Sequence, residues 1–361
     1  MPLAEAEFKK VVELEPTSYD ANHNLGEFYV RSGKIAAAIP YLEKAQNENP
    51  ASYDNGYDLS LAYEQSGRLP EALRQIRDLL KQKDTAELHN LLAEVEEKSG
   101  DYLAAESEYQ TAAHMEPSEL NIFDWGSELL LHQTWKPAID VFTAGRDRYP
   151  NSPRLAVGLG LARYLAGEYD DAVKALVKAT DLAPSDPQAY YFLNKLDGQA
   201  PDQAGEVIQR FRRFAEARPR DSRASFYYAM ALWKERRSEL SPADLDQVEA
   251  LLQKAVTLDP SFAEAHLQLG NIRSERHQYA EAVAEYRQAL KLSPDLPEAH
   301  FRLGQAYRHL GEKNLAQREF QLHQKLYEQH LADIDKQRLE IRQFVLSTKG
   351  EPESAGASSA P

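Results

Sequence analysis

The side chains best suited to chemistry in this sequence are its ten histidines, since the chain contains no cysteine. His323 and His330 stand seven residues apart and could share a helix face with His309, but no carboxylate completes a ligand set at the spacing of a metal site. The sequence also lacks a phosphate-cradling glycine loop, a Gly-x-Ser-x-Gly elbow and an HExxH motif. We therefore predict no catalytic, cofactor-binding or metal-binding residue, and we expect the chain not to be an enzyme.

The elements that carry these histidines follow a regular alanine spacing. The alanines recur at steps of 33 or 34 residues, with one gap, at Ala4, Ala38, Ala72, Ala105, Ala138, Ala172, Ala282 and Ala316. A period of about 34 residues with a small residue held in register indicates an array of helical repeats. Such an array offers a surface rather than a reaction centre.

Each alanine is position 20 of a wider pattern, which the unit from Tyr19 to Ser52 shows well. Leu25 and Gly26 stand at positions 7 and 8, Leu42 at 24 and Pro50 at 32. Apolar residues at this spacing form one stripe in each half of the unit, so each half is an amphipathic helix. Proline at position 32 ends the second helix because it lacks the backbone N–H and its ring clashes with the preceding turn.

This pattern resembles the tetratricopeptide repeat over nearly the whole chain. The resemblance implies an all-α fold, a right-handed α-solenoid (superhelix) of tandem helix-turn-helix repeats, with about nine full repeats. Laid on the sequence, it gives a partial repeat at 1–18, which is a second helix only, five tandem repeats at 19–186 and two irregular repeats at 187–262. Two regular repeats with an extended C-terminal helix follow at 263–347, and a disordered tail at 348–361.

The irregular stretch has two causes in the sequence. The run from Asp197 to Pro201 breaks the chain, so the first helix of that repeat should be short. The next repeat carries an insertion near 239–246, in which Ser241, Pro242 and Asp244 resemble a helix N-cap, a first-turn proline and a first-turn acid. We expect a longer helix-helix connection there.

Both ends of the chain depart from a regular array. The sequence opens inside a unit, so Leu3, Phe8 and Val11 should expose an apolar stripe. We therefore expect the natural gene product to continue upstream, or Met1 to be an artificial or misassigned start. At the other end, the last helix is expected to run from about Glu312 to Leu346, either as a cap over the last repeat or as a short coiled coil.

The binding surface can be assigned only through the resemblance, which implies a concave groove lined by positions 2, 5, 9, 12 and 13 of each first helix. In the early repeats these positions are acidic and include Asp20, Glu27, Asp54, Glu64, Glu87, Glu94 and Glu97. In the later repeats they are apolar and aromatic and include Phe123, Leu130, Leu131, Val157, Leu161, Tyr164, Leu165, Tyr191 and Trp233. The apolar set is either a groove for a partner or packing between neighbouring first helices.

The net charge is distributed unevenly along the sequence. Residues 1–119 hold 11 lysines and arginines against 23 acids, whereas the remainder holds 31 against 34. The formal net charge of -15 therefore lies almost wholly in the first third. This imbalance disfavours a nucleic-acid partner and suits a protein or peptide partner with a basic segment.

We predict a non-enzymatic scaffold for protein-protein interaction, which binds an extended peptide or a helix of a partner protein in its groove. The alternatives are an accessory module of a cell-envelope assembly or secretion complex, a self-associating array that uses its two ends, and the regulatory region of a longer enzyme. Chaperone-type carboxylate capture is disfavoured, because Asn271 and Arg302 make only a fragment of that clamp. No apolar run reaches the roughly 20 residues that span a bilayer, and the absence of cysteine fits a cytoplasmic or a periplasmic setting equally.

Overall fold

The described residues of the computed structural model, 2–196, 199–235 and 241–329, are helical apart from their connections. The chain is an all-α helical-repeat solenoid, as the sequence predicts. Its helices are α1 (Pro2–Leu14), α2 (Tyr19–Arg31), α3 (Ile35–Glu48), α4 (Tyr53–Gln65), α5 (Leu69–Gln82), α6 (Ala86–Ser99), α7 (Tyr102–Met115), α8 (Glu119–Leu131), α9 (Trp135–Arg148), α10 (Pro153–Leu165), α11 (Tyr169–Leu182), α12 (Pro187–Lys195), α13 (Ala204–Ala217), α14 (Ser222–Glu235), α15 (Pro242–Leu258), α16 (Ala263–Glu275), α17 (Tyr279–Leu292), α18 (Pro297–His309) and α19, residues 313–329.

From α2 to α11 and from α14 to α19 the helices form pairs, in which an even-numbered first helix is followed by an odd-numbered second helix. The turn inside a pair often holds a residue in the left-handed region, such as Gly33 with φ 71° and Gly167 with φ 80°. Gln133 and His277 occupy the equivalent turns with φ 60° and 62°. Glycine adopts this conformation more easily than residues that carry a side chain.

The first helices α2, α4, α6, α8 and α10 begin at polar caps that the sequence supplies in register. The side chains of Ser18, Ser52, Thr85, Ser118 and Ser152 each accept a hydrogen bond from the backbone N–H three residues on. Each cap satisfies a donor that the first turn would otherwise leave unpaired, which fixes where the first helix starts.

Close contact within a pair depends on small residues of the first helix. A Cβ added to Gly26 would lie 2.5 Å from Leu42, and one added to Gly270 would lie 2.6 Å from Tyr286. Gly160 stands in the same relation to Leu176. The large side chain of the second helix thus lies directly against the backbone of the first, and the alanines at position 20, such as Ala38 and Ala282, are fully buried.

By its internal contacts the chain divides into two compact units, Met1–Leu196 and Asp197–Pro361. In the first unit, α12 has only nine residues, which confirms the short first helix expected before the Asp197–Pro201 break. In the second unit, Ser241 caps α15, and its hydroxyl and backbone N–H are joined to Asp244 in a capping box, with Pro242 in the first turn. The predicted N-cap is therefore confirmed, while residues 239 and 240 of the expected insertion lie outside the described residues.

The expected apolar stripe at the N-terminus is confirmed for Leu3 and Val11 but not for Phe8, which packs against α2. Leu3 is 82% exposed and Val11 is 45% exposed, whereas Phe8 is half-buried and its ring lies 5.5 Å from that of Phe28. The rest of the expected C-terminal helix, beyond residue 329, and the predicted tail at 348–361 lie outside the described residues.

Three histidines at position 4 of their repeats join the two helices of a pair. His266 and His300 are buried, and the Nδ1 atoms lie 2.6 Å and 2.7 Å from the carboxylates of Glu285 and Glu319 respectively. The Nδ1 of His89 contacts Glu108, and its Nε2 lies 2.7 Å from Asp84. These histidines therefore connect the two helices of their pairs.

We expect Gly270→Ala to destabilise the protein by about 1–3 kcal/mol, because the added methyl group would overlap the Tyr286 ring in a closely packed site. Gly205→Ala in α13 is the matched control, since a Cβ there meets no atom within 4 Å. The control should be neutral or stabilising by up to about 1 kcal/mol, because alanine is the better helix former. Urea unfolding measures both, and equal effects would contradict the close-packing account.

The pH dependence of stability should report the contacts of His89. Burial opposes protonation of this imidazole, but Glu108 and Asp84 outweigh burial and raise its pKa. A raised folded-state pKa stabilises the protein below the unfolded value of about 6.5, and this contribution disappears as the pH rises through the folded value. We therefore compare the unfolding free energy of the natural chain with that of His89→Gln. The difference between the two should decrease as the pH is raised from mildly acidic to alkaline. A difference independent of pH would show that the ring acts only by packing.

Candidate functional site

The surface formed by α2, α4, α6, α8, α10 and α12, the first helices of the first unit, is here termed the first-helix face. Within it, α2 contacts α4, α8 contacts α10, and α10 contacts α12, so side chains of successive repeats come together. The residues predicted to bind a partner, apart from Trp233, all belong to these six helices.

The predicted acidic residues differ in how much of each side chain is available. Asp20, Asp54, Glu87 and Glu94 are exposed, and Glu27 and Glu97 are half-buried. Glu64 is only 6% exposed and pairs with Lys98. Glu27 lies 2.6 Å from Arg31. Two of the seven carboxylates therefore have a cation of their own on this face.

Two further carboxylates were missed by the sequence analysis. Asp58 in α4 and Asp124 in α8 are half-buried and stand at position 6, which the family register does not assign to the groove. Asp58, Glu94 and Asp124 make no hydrogen bond or ion pair in the described part of the chain. They are carboxylates held on a protein surface without a partner.

Burial raises the pKa of each of these three carboxyls. The pKa of Asp124 is raised to about 6 by burial, against an opposing effect of Arg154. Burial is the main cause for Asp58 and Glu94 as well, and Glu64 further raises the pKa of Glu94. The Glu94 side chain is exposed as a whole, but its carboxyl is crowded by other acids. A desolvated carboxylate without a counter-ion favours the approach of a cation.

Two tyrosines are part of the same electrostatic surroundings. Burial raises the pKa of the Tyr57 hydroxyl, and the nearby Glu87 carboxylate adds to the effect. Tyr109 lies on the second helix α7, yet its hydroxyl donates to Glu97 over 3.5 Å, and its pKa is raised by burial and by Glu97, Glu94 and Asp124. A side chain from the buried layer thus reaches the acids of the first-helix face.

The predicted apolar residues divide between surface and packing. Leu131, Tyr191 and Leu165 are 65%, 44% and 40% exposed, and Phe123, Leu130, Leu161 and Tyr164 are half-buried. Val157 is only 6% exposed and packs in the interior. Most of the apolar set in the first unit thus has surface to offer, next to the acidic residues on α6 and α8.

Trp233 belongs to the second unit and is 7% exposed. It lines a cavity of about 520 Å³, together with Met230, Lys234, Gln268, Asn271, Ser274, Glu275, His277, Tyr279, Tyr286, Glu298, Arg302 and His309. Tyr286 donates to Asn271 over 2.9 Å, and the Nε atom of Arg302 lies 3.5 Å from Glu298. With two acids and two bases in its wall, this cavity has no clear charge preference.

In the described residues, no group of three or more histidine, aspartate or glutamate side chains is arranged to hold a metal ion. No helix described here combines the length and the apolar character that crossing a membrane requires.

Family models match the chain in both units. Models described as tetratricopeptide repeat match residues 30–95, 123–187, 251–284 and 297–330, and one described as TPR repeat matches residues 270–311. A comparison with curated proteins finds no match.

Solved structures match the chain at low sequence identity. The C-terminal part of a TPR repeat-containing protein from Cytophaga hutchinsonii is 15% identical with a TM-score of 0.52, over 78% of this chain and 99% of that one. A tetratricopeptide repeat protein from Parabacteroides merdae is 16% identical with a TM-score of 0.43, over 80% and 98% of the two chains. YrrB, described as a TPR protein with an unusual peptide-binding site, is 18% identical with a TM-score of 0.42, over 51% and 96%.

The unpartnered state of Asp124 can be tested by stability measurements. Because its folded-state pKa of about 6 exceeds the unfolded value of about 3.9, ionisation of Asp124 destabilises the folded protein above pH 6, and the penalty disappears below about pH 4. Asp124→Asn should therefore be more stable than the natural chain at pH 7–8, with the gain shrinking as the pH falls from about 6 to 4. Chemical unfolding across this range measures it; a variant less stable at pH 8 would mean that the carboxylate has a stabilising partner.

Proposed function

Because the chain belongs to the tetratricopeptide repeat family and is a scaffold for protein-protein interaction, we propose that its first-helix face binds an extended peptide or helix of a partner with basic side chains. The observation that carries this proposal is the set of Asp58, Glu94 and Asp124, three partly desolvated carboxylates on α4, α6 and α8 without partners in the described chain. A lysine or arginine from a partner would supply the missing counter-charge.

The spacing of these acids favours a segment rather than a single side chain. They stand on three successive first helices, so a ligand that met all of them would have to cross the helices of three repeats. Asp54 and Glu87 add negative charge on α4 and α6, and Asp20 extends it to α2. An extended peptide or an amphipathic helix with repeated basic residues has the length and the charge to follow this surface.

Apolar contacts would supply the affinity that charges alone do not. Leu131 and Leu165 are exposed, and Phe123, Leu130 and Leu161 are half-buried beside the acids of α8. Burying such side chains gains about 25 cal/mol for each Å² of apolar surface, while surface ion pairs contribute little individually. The proposed partner therefore carries apolar residues next to its basic ones. In this proposal the chain binds its partner and performs no catalysis.

A titration with a synthetic peptide tests the proposal. A twelve-residue peptide that alternates arginine with leucine should bind in isothermal titration calorimetry at low salt, and an otherwise identical peptide with glutamate in place of arginine should not. The paired variant Glu94→Gln with Asp124→Asn should weaken binding at least about tenfold, or roughly 1.4 kcal/mol. The affinity of the natural chain should also fall as salt is raised.

The matched control removes the same charge elsewhere in the first unit. Glu48 on α3 and Asp140 on α9 are exposed residues of second helices, so Glu48→Gln with Asp140→Asn should leave the affinity almost unchanged. Equal losses in the two paired variants would mean that only net charge matters, and absence of binding to the basic peptide would overturn the proposal.

A further inference from the structure

The Phe123 ring on α8 has a cation of this chain above it. The guanidinium carbon of Arg154, from the start of α10, lies 5.2 Å from the centre of the ring. Arg154 is exposed and has no carboxylate within ion-pair distance among the residues described. The ring also packs against that of Phe142, whose centre lies 6.1 Å away. Phe123 is therefore a fixed, half-buried platform with a loosely held arginine over it.

Asp124, the residue after Phe123, is also influenced by Arg154. Its half-buried carboxylate has no hydrogen-bonding partner in the described chain, and Arg154 is the one cation that acts on it appreciably. The guanidinium of Arg154 contacts the Phe123 ring but lies beyond ion-pair distance from the Asp124 carboxylate. It therefore does not make both interactions. A guanidinium from outside, free to choose its position, could stack on the ring and pair with the carboxylate together.

We propose that Phe123 and Asp124 form a guanidinium subsite which Arg154 occupies in the free protein, and that an arginine of the partner displaces Arg154 when it binds. This inference rests on the proposed function and names the side chain through which the basic segment is held. Arginine fits better than lysine because its planar, weakly hydrated group stacks on an aromatic face and also donates paired hydrogen bonds to a carboxylate. Arg154 is then a specificity-determining residue that competes with the ligand.

The proposal predicts that loss of Arg154 strengthens binding. The probes are N-acetyl-arginine amide and N-acetyl-lysine amide, and the readout is the chemical shift of the Phe123 ring protons by NMR. Arg154→Ala should bind the arginine probe about tenfold more tightly than the natural chain, with a clearly smaller gain for the lysine probe. Since Arg154 is exposed, the variant should keep its fold, which circular dichroism verifies.

Arg31→Ala is the matched control, because Arg31 is an exposed arginine of the first-helix face on α2 and its removal changes the net charge equally. This control should leave the affinity of the arginine probe at Phe123 unchanged. An equal gain in both variants, or no gain in Arg154→Ala, would overturn the inference. If the basic peptide still binds through Glu94 and Asp124 in that case, the proposed function stands without the displaceable arginine.

Discussion

The close approach of two helices within each pair is the constraint on which the rest of the structure depends. Gly26, Gly160 and Gly270 leave no room for a side chain, so Leu42, Leu176 and Tyr286 of the second helices press directly on the first-helix backbone. This contact fills the inside of each pair without help from the residues on the outer side of the first helix. Many of those residues, such as Asp54 and Leu131, are therefore exposed and can vary in what they present to solvent, whereas Val157 and Phe123 also pack against the interior.

The first-helix face shows what that freedom permits. On α4, α6 and α8 this face holds partly desolvated carboxylates. A desolvated charge without a partner costs free energy, so selection for stability alone would replace these carboxylates or pair them. Stability is supplied elsewhere, by the buried alanines and by large residues such as Phe142 and Phe211. A packed interior is thus separated from carboxylates that, under the proposed function, a basic ligand would neutralise.

Much of the fold could be read from the sequence because its signals are local and repeated. The alanine and proline spacing located the helix pairs, the Asp197–Pro201 break gave a short α12, and Ser241 was recognisable as a cap. The face was predicted less completely. Position-based assignment included Val157 and Glu64, which are buried, and omitted Asp58 and Asp124, because one helical position can turn toward or away from a neighbour. Whether a carboxylate has a partner depends on residues in other repeats, which no local pattern records.

The tyrosines that pass through the pairs have a consequence for how this surface can diversify. Tyr109 and Tyr286 stand on second helices among buried residues, yet their hydroxyl groups end beside Glu97 and Asn271 on the first helices. An exchange of Tyr109 for phenylalanine would alter the hydrogen bonding of Glu97 on the first-helix face. An exchange of Tyr286 would alter that of the buried Asn271 in the wall of the cavity beside Trp233, and neither would change a solvent-facing residue. Substitutions at buried positions of the second helices can therefore change the hydrogen bonding of first-helix residues, and a survey of surface residues would overlook them.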